Sequence, residues 1–336
     1  MGSTSAFVSM DSPVIARSVQ GEMHTAAAGR VLAGKGYEAR RVEVLAQATG
    51  HFIHLVADQH RLKLAEEQVV LSESALEAAK RRTESGKASD LEEKRAKILL
   101  ARARIAQEHA EHEMLATRKH LAATWGVTEP RLDGAQGDLL TPRVLPPLER
   151  LAGRVSSSPE VARWITEGHL RDAETKLAEA RRIPNLTVGA GVRRLEGQGD
   201  QAFVLEFSVP LPLFDRNQGG IAEARSLSEK AGAERRAAEV RLSAVLYGLY
   251  QELKHSATEM ESLRKEVIPA SEEALATARD LFEQGKSSQL ELLDVQRTLL
   301  EVKQDLIEAA AGHHQFVVEI EKLLGAPLGG KEGEAP

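Results

Sequence analysis

Glu283-Gln284-Gly285-Lys286-Ser287-Ser288-Gln289-Leu290-Glu291 closely repeats Glu84-Ser85-Gly86-Lys87-Ala88-Ser89-Asp90-Leu91-Glu92, shifted by 199 residues. Over the wider windows 72–100 and 271–299, twelve of 29 positions are identical. The register holds farther on, where Gly126 after Ala123-Thr124-Trp125 matches Gly325 after Lys322-Leu323-Leu324. Each half therefore reads as a helix, a glycine turn, and a return helix ending 40 residues later at a second glycine. Glycine suits the turn and the end because it takes positive φ without penalty. A weaker echo reaches the start of the chain: Ala6-Phe7-Val8 resembles Ala202-Phe203-Val204, and Gln20-Gly21 resembles Gln218-Gly219. Residues 6–15 read either as the second strand of an earlier hairpin or as a disordered tail.

The prolines mark where long helices can run. Residues 14–129 and 213–268 contain none, and a proline inside a helix costs about 3 kcal/mol. The sequence predicts helices over 22–84 and 88–125, an irregular segment over 127–157, and a helix from the serines before Pro159 to about Arg182. A further helix is expected from Gly220 to Gln284, about 96 Å long at 1.5 Å per residue, and a last one from Ser288 to Leu324. Such lengths belong to a coiled coil or a tube. Composition agrees, since aromatics are only 4% of the 336 residues, too few for a thick globular core. A net charge of −6 gives no basic footprint for nucleic acid. The lack of cysteine excludes disulfides, thiolate zinc sites and cysteine nucleophiles. No apolar run reaches the roughly 18 residues of a membrane-spanning helix, and residues 1–20 show no signal peptide.

Between the helices the period changes to two. Apolar residues alternate in Asn185–Arg193, and Phe203, Leu205, Phe207 and Val209 share one face of the next run. Glu196-Gly197-Gln198-Gly199-Asp200 joins the two as a hairpin loop. This hairpin could pack on a helical body, or stand in a membrane barrel between lipid and a polar lumen.

These residues resemble a known family. The order of strand, long helix, tight glycine turn, return helix and irregular segment, duplicated once, looks like the TolC-type outer-membrane efflux channels. Ile183-Pro184-Asn185-Leu186-Thr187-Val188-Gly189-Ala190-Gly191 resembles that family's first strand of the second hairpin. Val209-Pro210-Leu211-Pro212-Leu213-Phe214-Asp215-Arg216-Asn217-Gln218-Gly219 resembles the strand exit of its heavy-metal cation-efflux (CzcC/CusC-like) branch, and Gly285–Thr298 resembles the second hairpin tip.

The resemblance implies a mainly α fold with a small β part. Duplicated long antiparallel helical hairpins would form an α-helical barrel, and β-hairpin strands would join a trimeric transmembrane β-barrel. The expected parts are a partial first strand and exit over 1–21, a first helical hairpin over 22–126, an irregular equatorial segment over 127–157 and a helix over 158–183. A barrel hairpin over 184–212, a second helical hairpin over 213–325 and a disordered tail over 326–336 complete the chain. Four strands per protomer close a twelve-stranded barrel in the family, so a strand, a helix and a signal peptide are expected upstream of Met1.

As a homotrimer the channel would sit in outer membrane lipid with a periplasmic extension. It would dock through a periplasmic adaptor onto an inner-membrane resistance-nodulation-division pump, with no cofactor, no nucleic acid and no enzymatic activity. The adaptor would meet the tips, at Gly86, Lys87 and Ser89 and at Gly285, Lys286 and Ser288. Thr187, Arg193, Glu206 and Ser208 would face the barrel lumen. In the resembling family, acidic side chains six and nine residues past the second tip glycine narrow the closed entrance. Here these are Glu291 and Asp294, three apart on one helix face, and the first repeat has Glu92 and Arg95 instead.

Eleven histidines invite a metal reading, but His51/His54, His109/His112 and His313/His314 supply no local set of three or four ligands and read as solvated helix faces. Asp215-Arg216-Asn217 reads as turn and N-cap chemistry rather than a catalytic cluster. No P-loop or dinucleotide fingerprint is present. The readings left open are an exit duct exporting heavy-metal cations, a soluble coiled-coil interaction protein with no transport role, and a non-functional truncated channel fragment.

Overall fold

The computed structural model describes residues 5–15, 17–86, 89–129, 134–144, 146–184, 186–195, 200–211 and 214–328, with the backbone alone for 5–15, 17, 193–195 and 200–201. The chain forms two compact units, Met1–Ala39 with Val155–Leu242, and Arg40–Arg154 with Ser243–Pro336. Strand β1 (Ser5–Ile15) leads into α1 (Arg17–Glu84), followed by α2 (Asp90–Ala123), the short α3 (Leu148–Ala152) and α4 (Pro159–Ala180). Strands β2 (Leu186–Leu195) and β3 (Asp200–Ser208) precede α5 (Gln218–Ser262), α6 (Ile268–Glu283) and α7 (Gln289–Leu324). Among the described residues, the glycines with positive φ are Gly86, Gly126, Gly285 and Gly325, at +70°, +80°, +71° and +69°. They are the two pairs that the 199-residue repeat aligns.

In the first unit the three strands form one antiparallel sheet in the order β1-β2-β3. Residues 5–15 are thus a strand, not a disordered tail, and Val8 pairs with Val192 across the sheet. Helices α4 and α5 run antiparallel, tied by Arg225–Glu179 at 2.7 Å, Ser228–Asp172 at 2.8 Å, and an Arg241–Glu160 ion pair. Their seam is thin because Ala224, Ala231 and Ala238 recur every seven residues and are buried. Ser158 caps α4, its Oγ accepting the Val161 amide, with Pro159 at the first helical position. At the strand exit Asn217 takes φ +58°, and its Nδ2 donates to the Ala178 carbonyl at 2.8 Å. Asp215 accepts the Asn217 amide at 2.8 Å. These polar residues make a turn and a helix start; Pro212 and Leu213, like the hairpin loop 196–199, lie outside the described residues.

In the second unit residues 40–84 of α1 run antiparallel to α2 and to α7. Glu73 bonds Arg104 at 2.8 Å, and Arg61 reaches Glu308 at 2.7 Å. The core gathers Ile53, Val56 and Ala57 of α1, Leu139, Met260 of α5, and Leu306, Ile307, Ala310 and Val318 of α7. The expected continuous helix 220–284 is interrupted by one wide turn at Leu263–Val267, where the Ile268 amide bonds the Leu263 carbonyl five residues back. Pro269 has no amide hydrogen for the ordinary bond to residue 265, so the ladder loosens there. The irregular segment contains α3 and a tight turn at Val155–Ser157, and α1 begins at Arg17 rather than residue 22.

Residues 134–144 lie on the helices through specific bonds. Gln59 both donates to and accepts from Ala135, at 3.0 and 2.7 Å. Gly137 leaves room for the Phe52 ring, which a Cβ would meet at 3.3 Å.

Candidate functional site

The hairpin tips, the helix face beyond the second tip and the sheet are the places that the sequence nominates. At the first tip the Gly86 amide bonds the Thr83 carbonyl at 3.0 Å. Lys87 lies outside the described residues. Ser89 precedes α2 in extended geometry, but its side chain makes no cap bond, and the Glu92 Oε2 is buried without a partner. At the second tip the Lys286 amide bonds the Leu281 carbonyl at 2.8 Å. Here the cap is closed: the Ser288 Oγ accepts the Glu291 amide at 3.3 Å, and the Glu291 carboxylate accepts the Ser288 amide at 3.0 Å. The two tips share a sequence pattern yet differ in hydrogen bonding. Arg82 of the first hairpin stacks over Phe282 of the second, 4.9 Å from the ring centroid.

Glu291 and Asp294 are both exposed on α7. Glu291 is occupied by the capping box, a role that the spacing Ser288-x-x-Glu291 permits. Asp294 lines a cleft of about 690 Å³ between α1, α2 and α7 and helps to hold the Arg297 guanidinium charged, after the Glu301 contact at 2.7 Å. Nothing in the sequence pattern announces the clamp that Arg61, on the wall of that cleft, makes. Arg61 grips Glu308 with two bonds of 2.9 and 2.7 Å and reaches the buried Asp58 at 2.6 Å. Burial works against the charge on Arg61, but the bonds to Glu308 and Asp58 outweigh it and hold its pKa above the usual value. The same contact holds the Glu308 carboxyl below its usual range.

In the sheet, Val188 pairs with Phe207, Ala190 with Leu205 and Val192 with Phe203, so the apolar residues share one face. That face is bare: Phe203 is 92% exposed, and Leu205 and Phe207 are 70% exposed. Thr187 pairs with Ser208, and Glu206 pairs with Gly189, on the opposite face. Arg193 shares their register by its backbone pairing with Ala202; its side chain lies outside the description.

The histidines divide. His51 stacks on His120 at 5.9 Å; burial, then the charges of His120 and His54, lower its pKa. His109 sits 3.4 Å from Glu113. His313 is not on a solvated face: it is fully buried, because α5 and residues 138–143 cover that side of α7. Among the described residues no three His, Asp or Glu side chains converge as a metal site, and no helix is long and apolar enough to cross a membrane.

A bare apolar sheet joined to duplicated helical hairpins agrees with the sequence comparisons. The family profile described as Outer membrane efflux protein matches residues 13–127 and 155–326. The chain belongs to the outer membrane efflux protein family. It is 31% identical over 285 residues to the cobalt-zinc-cadmium resistance protein CzcC of Cupriavidus metallidurans, spanning 85% of this chain and 68% of CzcC. It is 30% identical over 184 residues to the nickel-cobalt-cadmium resistance protein NccC of Alcaligenes xylosoxydans xylosoxydans, spanning 55% of this chain but only 41% of NccC. Among solved structures, CusC superposes with a TM-score of 0.82 at 14% identity, covering 96% of this chain and 77% of CusC. The Campylobacter jejuni CmeC outer membrane channel superposes with a TM-score of 0.72 at 12% identity, covering 99% of this chain and 79% of CmeC. The fold of this outer membrane efflux protein is therefore the TolC-type channel fold, and its relatives are channels rather than enzymes.

Proposed function

We propose that this efflux protein is a subunit of the exit duct through which heavy-metal cations leave the cell in a tripartite system. The bare face of Phe203, Leu205 and Phe207 carries this reading. A soluble protein gains nothing from exposing three large apolar side chains in a row, whereas a barrel strand needs them against lipid. Threefold association would place Thr187, Glu206 and Ser208 toward a lumen and the hairpins in a periplasmic tube. The tips at Gly86 and Gly285 would meet a periplasmic adaptor, and through it an inner-membrane resistance-nodulation-division pump. Glu291 and Asp294, six carboxylates in a trimer, would form a cation-favouring constriction. The relation to CzcC and NccC supports cobalt, zinc, cadmium or nickel as cargo.

The test is complementation. In a bacterium lacking its cobalt-zinc-cadmium outer-membrane component, the protein should restore tolerance to these cations and fractionate with the outer membrane. Recovery as a soluble coiled-coil protein, with no gain in tolerance, would refute the reading.

A further inference from the structure

His313 lies on α7, between α5 and residues 138–143, and both ring nitrogens are engaged. Its Nε2 accepts the Arg143 backbone amide at 3.1 Å. Its Nδ1 lies 3.1 Å from the Ser256 Oγ, and that hydroxyl donates its own hydrogen to the Leu253 carbonyl at 2.9 Å. The imidazole hydrogen must therefore sit on Nδ1 and point at the Ser256 oxygen, which leaves Nε2 as a lone-pair acceptor. The next residue works in the opposite sense: the His314 Nε2 meets the Leu139 carbonyl at 3.0 Å, a contact that a neutral or a charged ring can donate. Two adjacent histidines thus fasten one segment, and only one of the two fastenings requires a neutral ring.

We propose that His313 is a proton-operated fastener: its neutral imidazole holds residues 138–143 on α5 and α7 by accepting the Arg143 amide, and protonation at Nε2 releases that segment. An imidazolium has no acceptor, and its new N–H would point at the Arg143 N–H. Burial, and then the His314 ring, lower the His313 pKa to about 4. The rings stand edge-on with centroids 5.4 Å apart, so two charges would repel.

Among the described residues, no carboxylate pairs with the His313 ring. On the fastened segment, the Arg143 guanidinium is held by Glu321 at 3.0 Å, and the Asp138 carboxylate accepts the Thr141 amide at 3.2 Å. On α1, Asp58 and Arg61 satisfy each other. On α5, Lys254 borders Arg143 in a neighbouring cavity, while Glu252, His255 and Glu259 line a separate cavity of about 280 Å³ with Asp305 and Glu308. Ser256 also lines that acidic cavity.

Hydrogen exchange of the full-length folded protein in detergent, corrected for intrinsic rates, tests the proposal. Between pH 7 and pH 4, peptides spanning 138–144 should lose about tenfold or more of their protection. His313→Gln, whose amide oxygen accepts at every pH, should keep the segment equally protected at both. An unchanged wild-type segment, or an equal loss in His313→Gln, would each overturn the proposal. If His313→Gln does not fold, nitrogen-15 imidazole spectra of the wild type decide. A neutral Nδ1–H ring at pH 6 supports the fastener; an Nε2–H ring, or a charged one, rules it out.

Discussion

Replacing Arg61 by methionine should destabilise the helical unit far more than any change to its visible partner Glu308. Methionine keeps the length and apolar packing of the stem but removes the guanidinium. Two carboxylates then lose their cation, and their surroundings differ. The Asp58 side chain is only 7% exposed, whereas that of Glu308 is 52% exposed and keeps its bond from Gln304 at 2.7 Å. Stripping the partner from a buried charge costs about 3–5 kcal/mol. Exposed pairs contribute about 0–1 kcal/mol. Arg61→Met should therefore cost about 3 kcal/mol, nearly all through Asp58, and Glu308→Gln less than about 1 kcal/mol. For a chain of this size that is a fall in Tm of about 6 °C against about 2 °C, read from helical circular dichroism at one scan rate. The cycle closes with Asp58→Asn. In the Arg61→Met background it removes the stranded charge, so the double variant should recover about half of the loss. Equal Tm shifts for Arg61→Met and Glu308→Gln, or no recovery in the double variant, would refute the claim that buried Asp58 sets the cost.

Leu205→Arg should impair outer-membrane assembly far more than Ser208→Arg, since a charge at the bilayer midplane costs about 2–4 kcal/mol on the lipid face and much less on the lumen face; equal heat-modifiable trimer yields would place the sheet in water. Glu291→Gln with Asp294→Asn keeps the capping box while removing charge, so cation selectivity in single-channel recordings should fall with no change in Tm. Unaltered selectivity would move these carboxylates off the conduction path. Gly285→Val forces a β-branched residue to φ +71° and should fray the second tip, abolishing cross-linking to the adaptor while trimers persist; intact cross-linking would exclude that tip as the docking point. For His313 the unfolded ring titrates near 6.5 and the folded one near 4, so the unfolded state takes up the proton first. Stability should be flat above pH 6.5 and fall between 6.5 and 4, by about 3 kcal/mol in all. His313→Gln should make that slope shallower in acid-titrated melts, the rest belonging to His51 and His314, whose pKa values burial also lowers.

What the chain determined by itself is local. Four glycines spaced by a 199-residue repeat mark four left-handed backbone positions, because no other residue takes positive φ so cheaply. The proline gaps mark the long helices, and alternation at 203–209 marks a strand with one apolar face, because each follows from the period of a single element. The spacing Ser288-x-x-Glu291 permits a capping box, while the equally spaced Ser89 and Glu92 stayed open, a difference that depends on the surroundings of each tip rather than its spelling. What only the tertiary structure decided are pairings across long stretches of chain. His313 meets an amide 170 residues away, and Arg61 meets Glu308 across 247. Residues 6–15 became a strand because β2 offered its edge. Burial of a histidine, or the partner of an arginine, belongs to whichever element packs against it, and a helical period carries no information about that neighbour.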